Sequence, residues 1–181
     1  MSDEVSNETG LDLELSKYIE NGALPTSKSH NELLMSIIPK INSSLNIIFP
    51  WIRSSTVKDK FIECLKVEIE NNKKINIDFG YNKTNYGLSM IEDIINKNNF
   101  GKGVDKDISA VKALKKFLKE NLKYIPPIHF KILLLDDRVL FVGSHNWLSN
   151  SGNGVNSKDE ISCIIYDKSI IDYINTRYHL K

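Results

Sequence analysis

The segment Ile128-His-Phe-Lys-Ile-Leu-Leu-Leu-Asp-Asp-Arg-Val-Leu-Phe-Val-Gly-Ser-His-Asn146 decides how the rest of the chain reads. Two apolar runs, Ile128 to Leu135 and Val139 to Val142, flank the turn-prone Asp136-Asp137-Arg138, so an antiparallel hairpin is expected. Side chains alternate along a strand, which puts His129 and Lys131 on one face and Phe130, Ile132 and Leu134 on the other. A two-residue turn at Asp136-Asp137 pairs Leu135 with Arg138. Counted back along both strands, it sets Ser144 opposite His129, with Asn146 just beyond. Gly143 permits close backbone approach at that point. An imidazole, an ammonium, a hydroxyl and an amide then converge.

A His beside a Lys in an otherwise apolar strand is costly to desolvate unless an anion meets them, and substrate phosphate supplies one. Imidazole is a competent nucleophile toward phosphorus. Lys and Asn suit non-bridging oxygens whose charge grows in the transition state. The competing structural account makes His129 a satisfied sheet-end histidine and Lys131 a guard on an edge strand. For a lone His that account is preferred; for the combined spacing it is not.

Outward from the hairpin, helical and strand periodicities alternate. Leu33, Leu34, Ile37, Ile38 and Ile41 keep helical spacing until Pro39 kinks or ends it. Leu45 to Ile52 has strand length, Val57 to Glu70 carries a stripe of Phe61, Cys64, Leu65 and Ile69, and Ile75 to Phe79 alternates as a strand and stops at Gly80. Residues 81–107 are Asn-, Gly- and Lys-rich, with one helical patch at Met90 to Ile95, and read as a surface insertion. Ser109 to Leu122 is expected as a lysine-rich amphipathic helix with Val111, Leu114 and Leu118 inward, ended by Pro126-Pro127. Residues 149–158 read as a loop, Ile161 to Tyr166 as a last strand and Ser169 to Tyr178 as a closing helix. The pattern predicts an α/β fold, a mixed β-sheet flanked by helices on both faces.

The chain has 181 residues, of which 41% are hydrophobic and 9% aromatic, which suits one folded core and excludes a chain that stays disordered. Its net charge of +1 conceals two poles. Residues 1–20 set Asp3, Glu4, Glu8, Asp12, Glu14 and Glu20 against Lys17, whereas residues 97–124 set eight lysines against Asp105, Asp107 and Glu120. The first 28 residues are expected to form an acidic extension, preceding a domain over 29–181, and to lie across the basic face and restrain it. Cys64 and Cys163 read as two buried, reduced thiols without zinc-ligand spacing. No apolar run reaches the ~20 residues of a membrane span and no secretory leader is seen, so a cytoplasmic, non-membrane protein is expected.

The pattern His-x-Lys-x4-Asp-x6-Gly-Ser-x-Asn, filled by His129, Lys131, Asp136, Gly143, Ser144 and Asn146, resembles the signature of the phospholipase D superfamily. The resemblance extends more weakly over residues 29–181, through Phe49-Pro-Trp51, Phe79-Gly80 and Asp159-Glu160. It implies an α/β/α sandwich and phosphodiester cleavage through a covalent phosphohistidine, with no metal or other cofactor. His129 would attack phosphorus, Lys131 and Asn146 would clamp the phosphoryl oxygens, and Ser144 would support the pocket. Glu160 would hold the second ring nitrogen of His129 and fix its tautomer. Asp136 belongs to the motif, but its place in a turn suits support more than chemistry.

Family members need two such motifs and this chain has one; His30, His145 and His179 lack the His-x-Lys context. The resemblance is therefore to the small single-motif bacterial endonucleases, which implies a homodimer sharing one composite site, with Trp147 and Leu148 as interface or core residues. On this reading the chain is a metal-independent nuclease. Lys112, Lys115, Lys116, Lys119 and Lys123 hold a nucleic-acid backbone without base readout. Two other readings are carried. One is a phospholipid phosphodiesterase, which the absence of an amphipathic membrane stretch disfavours. The other is a nucleic-acid-binding module of a larger defence, restriction or helicase-type assembly, recruited through residues 1–28.

Overall fold

The computed structural model describes residues 10–19, 21–80, 106–125, 128–149 and 160–178. The expected insertion at 81–107 falls almost wholly outside them, as does the loop expected at 149–158 beyond Ser149. In chain order the elements are α1 (Gly10–Ser16), β1 (Ala23–Leu24), α2 (Ser27–Ile37), β2 (Ser44–Phe49), α3 (Asp59–Glu70), β3 (Lys74–Phe79), α4 (Lys106–Leu118), β4 (Leu122–Tyr124), β5 (Ile132–Leu135), β6 (Val139–Gly143), β7 (Ser162–Ile165) and α5 (Lys168–Tyr178). Short 3-10 turns follow α2 at Ile38–Lys40, where Pro39 ends the α-helix, and α4 at Lys119–Asn121.

The seven strands form one mixed sheet in the order β1-β7-β6-β5-β2-β3-β4. β2, β3 and β4 run parallel, while β5, β6, β7 and β1 join antiparallel. Burial divides by the period-two rule. Leu133, Leu135, Ile47, Ile77 and Phe141 enter one cluster with Leu11 and Leu15 of α1, Leu33 and Ile37 of α2, Phe61 and Leu65 of α3, and Leu114 and Leu118 of α4. Ile132, Leu134, Ile48 and Leu140 face the other way onto Ile171, Ile174 and Tyr178 of α5. The sheet is thus covered by helices on both faces, as the patterning predicts.

The hairpin register differs by one residue from the expectation. Leu135 pairs with Val139 and Ile132 with Val142, because Asp136, Asp137 and Arg138 all lie in the turn. Asp136 and Asp137 both adopt left-handed backbone at φ 53° and 51°, a conformation that Asp tolerates better than most residues. The Arg138 N–H closes the turn on the Leu135 carbonyl at 2.9 Å. The Arg138 side chain is then held by Asp12 of α1 at 2.9 Å, a tertiary contact beyond the reach of a local turn rule.

β5 is also shorter than expected. Ile128 donates to the carbonyl of Gly80 at the end of β3, so His129 and Lys131 lie in the lead-in to the strand and not within it. Helix α4 stops at Leu118 rather than Leu122 because Lys119 turns left-handed, at φ 52°. This frees Leu122 to Tyr124 to pair with β3 as a strand that local periodicity does not signal.

The described part of the N-terminal region departs from the expected acidic extension, whose first nine residues lie outside the described ones. Leu11 and Leu15 are fully buried in the main cluster, and Ala23–Leu24 pair with β7 as the last strand of the sheet. Residues 10–24 are therefore part of the domain, and α1 docks on the hairpin turn through Asp12 instead of lying loose over a basic face. Cys163 is exposed on β7 and Cys64 half-buried, so the expectation of two buried thiols does not hold. Trp147 and Leu148 are fully buried in the main cluster, which settles them as core residues and not interface residues.

Candidate active site

Of the expected residues, His129, Lys131, Ser144 and Glu160 lie where β2, β3, β4 and β6 end and β5 and β7 begin. In a mixed α/β sheet this carboxyl edge of the parallel strands is the usual place for a ligand. His129 is exposed there and Lys131 half-buried. Lys131 Nζ donates to the His129 carbonyl at 3.0 Å and stands 3.4 Å from each ring nitrogen of the same histidine. Burial holds the Lys131 ammonium below the usual lysine range, and the negative charge of Glu160 partly opposes that shift. A poorly solvated ammonium is primed to bind an anion. A cavity of about 490 Å³ opens beside the pair, walled by Lys131, Gly143 and Ser144 on its polar side and by Ile132, Val142, Ile174 and Tyr178 on the other.

Gly143 is required by space. A Cβ built on it would lie 2.1 Å from the Ile161 carbonyl oxygen and 2.4 Å from Ser162 Oγ. Ser144 locks the same approach from the next position: its N–H donates to the Ile161 carbonyl at 3.0 Å, and its Oγ accepts from the Ile161 N–H at 3.2 Å. Asn146 is half-buried, and its Oδ1 is buried without a hydrogen-bond partner among the described residues. Glu160 leads into β7, and its charge is felt by both Lys131 and His30. Structure therefore brings His129, Lys131, Ser144 and Glu160 together, with Ser144 facing Ile161 rather than His129.

Asp136 stands apart, at the far end of β5. Its carboxylate accepts from the backbone N–H groups of Asn42, Ser43 and Ser44 at 2.8–3.0 Å, and from the Asn42 and Ser43 side chains. The motif aspartate ties the hairpin turn to the start of β2.

The lysine cluster is also displaced. Helix α4 delivers the chain to the start of β4, so Lys115, Lys116 and Lys119 sit at the amino edge of the parallel strands, opposite His129. Lys115 donates to the Lys119 carbonyl at 2.8 Å, which caps the helix. Lys112 lies further back along α4, and Lys123, within β4, acts on the Asp78 carboxyl, which burial pushes up. Exposed cations toward the His129 edge include, among the described residues, Arg53, Lys58 and Lys60 of the β2–α3 connection and first helical turn and Arg177 in the last turn of α5. The Arg53 N–H donates to the Leu148 carbonyl at 2.9 Å, just beyond the Gly-Ser-x-Asn turn. For Arg53, Lys58 and Lys60, position after the first parallel strand was the available signal.

Beneath the hairpin lies a group that sequence reasoning missed. His30 and His145 are fully buried and stack at 4.3 Å, and both approach the Trp147 ring at 5.1–5.3 Å. His30 lies in no motif, and His145 fills the unrestricted position of Gly-Ser-x-Asn, so neither is marked by its residue type.

Among the described residues no group of three His, Cys, Asp or Glu side chains is placed to hold a metal ion, and no helix is long and apolar enough to cross a membrane. No match is found among curated protein sequences. Residues 37–179 match the family model described as "Cardiolipin synthase, PLD-like domain". Among solved structures the fold is similar to Nuc from Salmonella typhimurium, a phospholipase D family member, at 12% identity and a TM-score of 0.58 over 87% of this chain and 91% of that one. NucT from Helicobacter pylori is similar at 15% identity and a TM-score of 0.54, over 88% of this chain and 93% of that one. Phosphatidylserine synthase from Haemophilus influenzae matches at 13% identity and 0.53 over 87% of this chain, but over only 38% of its own length. At such identities these likenesses establish the fold, while the family model spans most of the chain, the His129–Asn146 segment included. The chain belongs to the PLD-like domain family, within the phospholipase D superfamily of phosphodiesterases.

Proposed function

We propose that the protein is a nuclease that cleaves phosphodiester bonds through a phosphohistidine on His129. The observation that carries this reading is the His129–Lys131 pair, with its poorly solvated ammonium, at the mouth of a cavity on the carboxyl edge of the sheet. A neutral ring nitrogen of His129 attacks phosphorus, forming the P–N bond as the P–O bond to the leaving group breaks. The leaving oxygen takes a proton from the same histidine of a second copy. Water then attacks phosphorus, gives its proton to that second imidazole and breaks the P–N bond. Lys131 and Asn146 neutralise the charge that builds on the non-bridging oxygens, and Glu160 orients the nucleophile.

One motif per chain makes two copies the minimum for this cycle, so the active form is a homodimer with a shared site. Phe130, 44% exposed and 4.8 Å from the Tyr178 ring, offers an aromatic surface on which an unstacked base can rest, which favours nucleic acid over lipid.

The test is turnover of single-stranded DNA, duplex DNA, RNA and phosphatidylcholine vesicles in excess chelator, with trapping of phosphate on His129 and the solution mass of the trapped species. Nucleic-acid cleavage lost in His129→Ala, from a species of twice the chain mass, is expected. A strict divalent-metal requirement, or vesicle hydrolysis faster than nucleic-acid cleavage, overturns the reading.

A further inference from the structure

His30 has no part in the reaction written above, yet it is fully buried near the site with both ring nitrogens hydrogen-bonded. Its Nδ1 lies 2.5 Å from the Thr26 carbonyl, and a carbonyl can only accept. Nδ1 therefore carries the proton, and Nε2 holds a lone pair toward Ser162 Oγ at 2.8 Å, so the serine hydroxyl is the donor. Thr26 is itself rigid: it caps α2 in a reciprocal box with Ser29. Burial keeps the imidazole neutral, pulling its pKa below the ordinary value against the opposing pull of the Thr26 carbonyl and of Glu160.

The far side of the ring is equally engaged. It stacks on His145, the variable residue of Gly-Ser-x-Asn, whose own ring nitrogens have no hydrogen-bond partner among the described residues. Among the described residues His145 is thus placed by packing, and His30 is part of what it packs on. Ser162 in turn faces Gly143 across the ladder, one residue after the Ile161 that Ser144 grips and two after Glu160.

We propose that His30 is a positioning residue for the active site. Held by the Thr26 carbonyl, its imidazole fixes the Ser162 hydroxyl and the His145 ring, and so sets Glu160 and the start of β7 against the hairpin that bears His129 and Lys131. The proposal rests on the phosphodiesterase reading above and adds a buried support that the motif does not contain.

The experiment compares wild type with His30→Phe, which keeps an aromatic ring and removes both nitrogens, with Ser162→Ala, which removes the same bond from its other end, and with His30→Gln, which restores a polar group. Expected for His30→Phe and Ser162→Ala is a fall of about tenfold or more in kcat, with KM within about twofold, on a single-stranded oligonucleotide. The double variant is expected to be no worse than either single one, because both break one link. His30→Gln recovers part of the loss. A second readout needs no turnover: the imidazole NMR signals of His129 are expected to shift in His30→Phe and Ser162→Ala, and to shift likewise in Glu160→Gln.

Should wild type cleave no phosphodiester, the functional reading fails, and the His129 signals still decide the positioning role. Unchanged His129 signals in both His30→Phe and Ser162→Ala, with full activity per folded molecule, overturn the proposal. If His30→Phe does not fold, Ser162→Ala alone carries the test, since it deletes only a hydroxyl.

Discussion

Gly143 and Ile161 approach so closely that a Cβ on the glycine would lie 2.1 Å from the isoleucine carbonyl oxygen. The obstacle is backbone, which cannot swing aside as a side-chain tip can. Gly143→Ala must push β7 off β6 at the point where Ser144 and Ser162 join the two strands. The expected outcome is a loss of about 1–3 kcal/mol in urea unfolding together with loss of phosphodiester turnover. An alanine variant of wild-type stability would show that the strand start is free to move.

Asp136 tests whether every polar residue of the motif serves the chemistry. Its carboxylate gathers three backbone N–H groups from residues 42–44, a full strand length from His129. Asp136→Ala is expected to lower stability by about 2 kcal/mol while the folded fraction keeps its cleavage rate. His129→Ala is expected to do the reverse, holding stability within about 0.5 kcal/mol and abolishing turnover. Urea unfolding paired with single-turnover cleavage separates them, and a stable but inactive Asp136→Ala would return the aspartate to the reacting centre.

The motif was legible because its chemistry lies within 18 consecutive residues, and the layered fold because periods of two and of three to four alternate along the chain. What escaped has a common cause. The two-residue strand β1 and three-residue strand β4 carry no period of their own and exist only because β7 and β3 present edges to pair with. The register slip came from a turn tied to α1 and to the start of β2, contacts spanning more than ninety residues. His30 meets Ser162 across 132 positions, and nothing around Ser-His-Asn at 29–31 foretells it. The lysines of α4 were legible as a charged face, but their distance from His129 depends on the direction in which the helix runs.

The buried His145 imidazole contributes to the acid sensitivity expected of the domain. Burial, and to a smaller degree the neighbouring His30, depresses the His145 pKa to about 3. In the unfolded chain the group titrates near 6.5. Above that pH both states are neutral and stability is at its full value; as pH falls toward about 3 the unfolded chain binds a proton that the folded one does not, and stability drops. The slope approaches 1.4 kcal/mol per pH unit for one histidine, so His145→Phe is expected to shrink the stability difference between pH 7 and pH 5 by about 2 kcal/mol. Urea unfolding at the two pH values checks this, and an unchanged difference would mean that the ring becomes hydrated or leaves its stack before the domain unfolds.

If nucleic acid reaches His129, the cations that guide it should lie at the same edge of the sheet. Arg53, Lys58 and Lys60 are exposed there, whereas Lys115, Lys116 and Lys119 lie at the opposite edge, with Lys115 occupied by the Lys119 carbonyl. Each phosphate contact contributes about 0.7 to the slope of log affinity against log salt for a single strand. Lys58→Glu/Lys60→Glu is therefore expected to weaken oligonucleotide binding and to flatten that slope by about 1.4, while Lys115→Glu/Lys116→Glu leaves it nearly unchanged. Fluorescence anisotropy over a salt series measures both. A steeper loss in the α4 variant would return the track to the lysine-rich helix and require the strand to wrap around the edge of the sheet to reach His129.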